Sequence, residues 1–204
     1  MLDAFDVPFM QRALVAGLVL AVPLGLVGTW VVLRALAFFS HAVGVGTFPG
    51  VVVGLGVPAI GPFVGAAAAA GILTAAVVGL GARRMQSVTF DRHWSRPAGA
   101  RPGLVDLALL VLVAATVVVA LPVVGSLLVS GLLVLPAATA RVLTADVFTM
   151  LPVAVVLCGT AIVVGLAVAR ELDAPPGSVI CATAGLAFAV TVLADRLLKR
   201  RGSP

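Results

Sequence analysis

Long uncharged stretches alternate along the chain with short clusters of charge. The uncharged runs cover Ala13–Leu33 (21 residues), Ala35–Ala82 (48), Leu107–Ala140 (34), Val147–Ala169 (23) and Ala174–Ala194 (21). About 20 apolar helical residues cross a bilayer. The runs therefore predict at least five membrane spans and at most seven, the two longest having room for a pair each. Turn chemistry places the breaks. VPAIGP at 57–62 supplies Pro and Gly for a turn, and ELDAPPG at 171–177 is an acidic turn. The resulting spans are about 13–33, 42–57, 63–82, 104–121, 124–140, 147–169 and 178–194. The basic residues then fall on one side under the positive-inside rule: Arg34, the segment 83–103, Arg141 and the tail 195–204 are cytoplasmic, and the N-terminus is outside. The start MLDAFDVPF is acidic and lacks the basic segment of a signal peptide, so the first run is expected to be a retained span.

Composition agrees with this pattern. Of 204 residues 62% are hydrophobic and 10% charged, against roughly 25% charged in soluble domains. The expected fold is an all-α polytopic membrane protein, a single transmembrane domain over 1–204 with about seven helices, embedded in a lipid bilayer. The charge of +5 does not point to nucleic acid. The excess is confined to Arg83–Arg101, with five arginines against Asp91, and to Arg196, Lys199, Arg200 and Arg201, both beside spans. Twelve arginines against one lysine fit a GC-rich bacterial genome.

Pro23, Pro49, Pro122, Pro136 and Pro152 fall in or beside spans, where proline removes a backbone hydrogen bond and kinks the helix. Such breaks persist where neighbouring helices or a water-filled cavity satisfy the freed carbonyls, which favours broken helices around a pathway over a simple anchor. Gly17, Gly25, Gly28, Gly44, Gly46, Gly50 and the run GAAAAAG at 65–71 allow helix backbones to approach closely. Cys158 and Cys181 lie singly within apolar runs and read as small buried apolar residues. Every Asp and Glu lies at or near a predicted loop, which disfavours a proton-driven carrier. Without a P-loop, a nucleotide fingerprint or HExxH, the chain is not expected to be an enzyme.

Two segments carry more than hydropathy. TFDRHWSRPAG at 89–99 is basic and aromatic, with Phe90 and Trp94 four residues apart. It suits either a helix lying on the membrane surface or one docking into a soluble partner. VGSLLVSGLLVLPAATARVLT at 124–144 is an apolar helix interrupted near Pro136, with Ser126, Ser130, Thr139 and Thr144 as its polar side chains apart from Arg141.

The segment VGSLLVSGLLVLPAATARVL resembles the most recognisable motif of the permease subunits of zinc and manganese ABC transporters, the family often labelled ABC-3. FMQRALVAGLVLAVPLGLVGTWVVLRALAFF resembles the family's first span and its arginine loop. TFDRHWSRPAG matches the family pattern at Phe90, Asp91 and Gly99, with Ser95 where alanine is usual. GLAVARELDAPPGSVI matches at Gly165, Leu166, Asp173, Pro176 and Gly177.

The resemblance implies an ABC-3-type bundle in a bacterial plasma membrane that transports zinc or manganese and binds no cofactor of its own. It also implies a second permease subunit, a separate ABC ATPase and an extracellular metal-binding protein. Residues 89–99 become the element coupled to the ATPase, with Phe90, Asp91, Trp94, Ser95 and Gly99 as its candidate contacts, and His93 a partner contact or exposed group. Gly125, Ser130, Pro136 and Thr139 are the candidate pathway and hinge residues.

Two departures qualify the resemblance. Aligned on Pro49 and Gly50, His41 falls where the family has aspartate and Val45 where it has histidine. His41 is then either a transport ligand or a polar residue at a helix start within reach of interfacial water. Between GARR at 81–84 and TFD at 89–91 the family usually has about two further spans. That shortening raises a second reading, a non-transporting accessory protein derived from such a permease. An ion-driven secondary carrier is the third.

Overall fold

The computed structural model describes residues 8–36, 76 and 102–201. They form five long helices: α1 (Pro8–Leu33), α2 (Pro102–Val124), α3 (Ser126–Leu143), α4 (Val147–Glu171) and α5 (Pro176–Arg201). No strand occurs among the described residues. The expected spans 42–57 and 63–82 lie outside them, as do His41, His93 and the coupling residues Phe90, Asp91, Trp94, Ser95 and Gly99.

Local chemistry sets the helix ends. α1, α2 and α5 each begin with proline, whose fixed φ suits a first helical turn and whose missing N–H would have had no partner there. α1 and α4 end alike. Ala35 (φ 55) and Asp173 (φ 47) take the left-handed conformation. The next amides, of Leu36 and Ala174, donate to the carbonyls of Val31 and Ala169 at 2.8 and 3.0 Å. This Schellman arrangement satisfies carbonyls that the helix leaves open. It is built here without glycine, at a conformational cost.

The link between α2 and α3 differs from expectation. α2 runs through Pro122 to Val124, and one residue, Gly125 (φ 84, ψ 157), joins it to α3. That backbone region is essentially restricted to glycine, so a single residue achieves what the sequence suggested would take a short turn. Among the described residues, three helices contain stretches long and apolar enough to cross a membrane, Gln11–Leu33, Val147–Glu171 and Pro176–Leu198. Asp106–Leu121 and Leu128–Leu143 are shorter apolar helices. The basic tail continues α5 as helix through Arg201.

Close approaches define the helix directions. Gly25 faces the Val155 backbone and Gly17 faces Ile162, so α1 and α4 are antiparallel. Gly28 faces the Leu133 carbonyl while Leu24, toward the other end of α1, shares a cleft wall with Leu128; α1 and α3 are thus parallel. Gly165 against Ile180, together with the Thr183 hydroxyl near the Ala161 carbonyl, makes α4 and α5 antiparallel. Arg34, at the end of α1, pairs with Asp106, near the start of α2. The expected alternation of direction therefore holds across the described helices. Arg34, Arg141 and Arg196 gather at one end, and Glu171 and Asp173 lie at the other with Arg12 and Arg170.

α1 is the central helix: 67% of its apolar window is buried, against 11% for α5. Leu20, Leu24, Val27, Trp30 and Val31 of α1 pack with Leu109, Val113 and Val117 of α2 and with Leu132 and Leu133 of α3. α5 leaves Leu186, Val190, Leu193 and Leu197 exposed, as an apolar helix can when its surroundings are lipid.

Candidate functional site

The interruption expected near Pro136 is a gap in the hydrogen-bond ladder and not an end to the helix: α3 runs as one element from Ser126 to Leu143 with Pro136 inside it. Pro136 is buried inside the helix and carries no N–H, so the Leu132 carbonyl loses its partner one turn back. In a membrane interior such a carbonyl needs another donor. The thiol of Cys158 on α4 supplies a weak one, with Sγ 4.0 Å from the Leu132 oxygen. The neighbouring Leu133 carbonyl points at α1, where Gly28 leaves room for it. Glycine and cysteine thus accommodate the gap from two sides.

Beyond Pro136, a cleft of about 140 Å³ opens between α3, α4 and α5. Its polar lining is three threonines, Thr139, Thr160 and Thr183, one from each helix. Each hydroxyl donates to a carbonyl of its own helix: Thr139 to Leu135 (2.8 Å), Thr160 to Leu157 (3.0 Å) and Thr183 to Ile180 (2.8 Å). With the proton committed, each oxygen retains acceptor lone pairs. The cleft therefore presents uncharged acceptors, suited to contact with a cation in passage. It lacks the several charged or bidentate oxygens that hold a hard divalent ion tightly. Among the described residues no three His, Cys, Asp or Glu side chains are close enough to bind a metal together.

Of the four residues expected in a pathway or hinge, Pro136 and Thr139 meet at this cleft. Ser130 is half-buried and outside the lining, and Gly125 is exposed where α3 begins, eleven positions before Pro136. Sequence reasoning missed Thr160 and Thr183. They stand in runs apolar on every side, so no periodicity shows which face turns inward. It also missed Arg34 with Asp106, opposite charges at the end of the run Ala13–Leu33 and the start of the run Leu107–Ala140. Cys158 is buried and Cys181 half-buried, and the two form no disulfide with each other, which suits small apolar substitutes. A second cleft of about 220 Å³ between α1, α3, α4 and α5 is lined mainly by leucine, isoleucine and glycine.

The family profile described as the ABC 3 transport family matches residues 6–87 and 67–195. The chain belongs to the ABC 3 transport family. Both segments of the match overlap at 67–87, and the second contains Gly125, Ser130, Pro136 and Thr139. Over 108 residues the chain is 31% identical to a probable iron transport system membrane protein of Haemophilus influenzae; this covers 53% of the chain and 40% of that relative's length. The fold is similar to that of a chain in the structure of PsaBC from Streptococcus pneumoniae in complex with Fab. The TM-score is 0.87 at 18% identity, over 98% of each chain. The helical bundle is therefore the fold of an ABC 3 family member, and the family resemblance carried by LLVLPAATAR holds.

Proposed function

We propose that this ABC 3 family chain is the membrane permease subunit of an ATP-driven importer of a first-row divalent metal, iron, manganese or zinc. Family membership supports the class, and the likeness to a probable iron transport system membrane protein of Haemophilus influenzae supports a metal cargo. The observation that carries a conducting role is Pro136, inside α3, beside a mainly apolar cleft to which Thr139, Thr160 and Thr183 bring hydroxyls. Neutral oxygens lower the cost of partial dehydration without trapping the ion, which suits a conduit.

On this reading the chain works in a bacterial cell membrane, with the end bearing Arg34, Arg141 and Arg196 in the cytoplasm. A second permease subunit completes the pathway and an extracellular metal-binding protein delivers the ion. A separate ABC ATPase hydrolyses ATP and acts through Phe90–Gly99. The chain itself performs no covalent chemistry. It offers two arrangements of α3 about Pro136, and the ATPase cycle selects between them.

The test is uptake of radiolabelled iron, manganese and zinc by metal-starved cells expressing the chain with its ATPase. Energy-dependent uptake of one of these metals is expected. The triple change Thr139→Val, Thr160→Val and Thr183→Val, which keeps side-chain shape, should lower it about tenfold at unchanged membrane abundance, equivalent to about 1.4 kcal/mol on the barrier. Normal uptake by the triple variant would remove the cleft from the pathway. ATPase binding without uptake by the unaltered chain would favour a non-transporting accessory protein.

A further inference from the structure

The ion pair between Arg34 and Asp106 joins residues 72 apart in sequence. Its side chains are 12% and 28% exposed, so it is partly withdrawn from solvent. Arg34 sits on a stiff support. Its amide donates to the Trp30 carbonyl at 3.0 Å, and the Schellman closure through Ala35 and Leu36 fixes the end of α1 beneath it. Asp106 lies in the second turn of α2, the helix that directly follows segment 83–103 in the chain. α2 makes far less contact with the other described helices than those helices make with one another. At the start of α2 the ion pair adds a polar tie to the apolar packing of Leu109 and Val113 in the core.

α1 continues the connection. Gly28 lies against the Leu133 carbonyl and the Ala137 methyl, which flank Pro136 on α3. The contact is between backbones, so a displacement of α1 cannot be absorbed by a side-chain rotation there. Arg34, α1 and Gly28 form a continuous chain of rigid contacts from the start of α2 to Pro136 in α3.

We propose that Arg34 and Asp106 form a clasp that passes movement of the start of α2 into α1, and so to Pro136 in α3. Both are positioning residues for transport. The proposal rests on the reading of the chain as an ATP-coupled permease.

The experiment uses proteoliposomes containing the full chain with the ATPase that co-purifies with it. Uptake of manganese(II), iron(II) or zinc(II), whichever the unaltered chain transports, is measured beside ATP hydrolysis. Arg34→Glu and Asp106→Arg are made singly and together. Each single variant should lose about tenfold or more in uptake while keeping ATPase binding and hydrolysis within about twofold, raising the ATP consumed per ion. The combined swap should recover uptake to within about threefold of the original, because residues that act as a pair are non-additive. Single variants with normal uptake, or a swap no better than either single, would overturn the clasp.

If the singles fail to insert, the swap decides: recovered insertion and uptake support the pair, and continued failure overturns it. An unaltered chain that binds no ATPase and imports none of the three metals would instead overturn the permease reading itself, a result visible before any variant is made.

Discussion

Replacing Gly28 with alanine tests whether close backbone contact holds the bundle together. A Cβ at that position would lie 2.1 Å from the Leu133 oxygen, 3.1 Å from the Leu133 carbonyl carbon and 3.4 Å from the Ala137 Cβ. Ordinary carbon to oxygen contact begins near 3.3 Å, so α1 and α3 must separate locally by roughly 1.2 Å. The obstacle is a helix carbonyl, fixed by its own backbone. A gap of 0.5–1 Å already forfeits about a quarter to a half of the dispersion well for each atom pair it opens. Overpacking changes typically cost about 1–3 kcal/mol, and this one should fall near the upper limit.

At about 2–4 °C per kcal/mol for a chain of this size, thermal unfolding in detergent should move down on the order of 5–10 °C. Gly159→Ala is the matched control. Its nearest neighbour is the flexible Leu18 Cδ2 at 3.7 Å, so it should keep stability or gain up to about 1 kcal/mol from helix propensity. Equal unfolding temperatures for the two variants would refute the argument, since they differ only in what the added methyl meets. Gly25→Ala and Gly165→Ala, each placing a Cβ within 2.7 Å of backbone atoms on a neighbouring helix, should follow Gly28→Ala.

Further outcomes follow from backbone conformation and from Pro136. Gly125→Ala should destabilise by about 1–3 kcal/mol although nothing lies within 4 Å of the added methyl, because φ 84 with ψ 157 disfavours any side chain; an unchanged unfolding midpoint would contradict this. Ala35→Gly should raise the midpoint slightly. It relieves about 1–2 kcal/mol of left-handed strain and returns about 0.4–1 kcal/mol in unfolded-state entropy, whereas Ala35→Val should lower it. Pro136→Ala restores an amide to face the Leu132 carbonyl, so the variant should unfold later and transport more slowly; rapid uptake by the variant would show that Pro136 is no hinge.

The division of charge along the chain by itself determined that this is a helical membrane protein and where its apolar runs end. Those properties depend on hydrophobic length and on the cost of burying charge, both of which add along a sequence. The helix starts at Pro8, Pro102 and Pro176 lie two to five residues before the expected spans at about 13, 104 and 178, because hydropathy marks the apolar run and not the first helical turn. The motif LLVLPAATAR also carried the family, because its order of residues is specific.

Helix faces and partners were not legible. α4 and α5 are apolar all round, so nothing in their periodicity marks Thr160 and Thr183 as sharing one cleft with Thr139. The Schellman ends at Ala35 and Asp173 were hidden because no glycine announced them. Glycine composition suggested close packing, but only the tertiary structure set Gly28 against Leu133 and Gly25 against Val155. It likewise brought Arg34 to Asp106, and the Cys158 thiol to the carbonyl that Pro136 frees. The physical reason is that crossing a bilayer is a property of each helix alone. Which small residue, hydroxyl or charge meets which is settled by van der Waals fit and hydrogen bonding between helices distant in sequence.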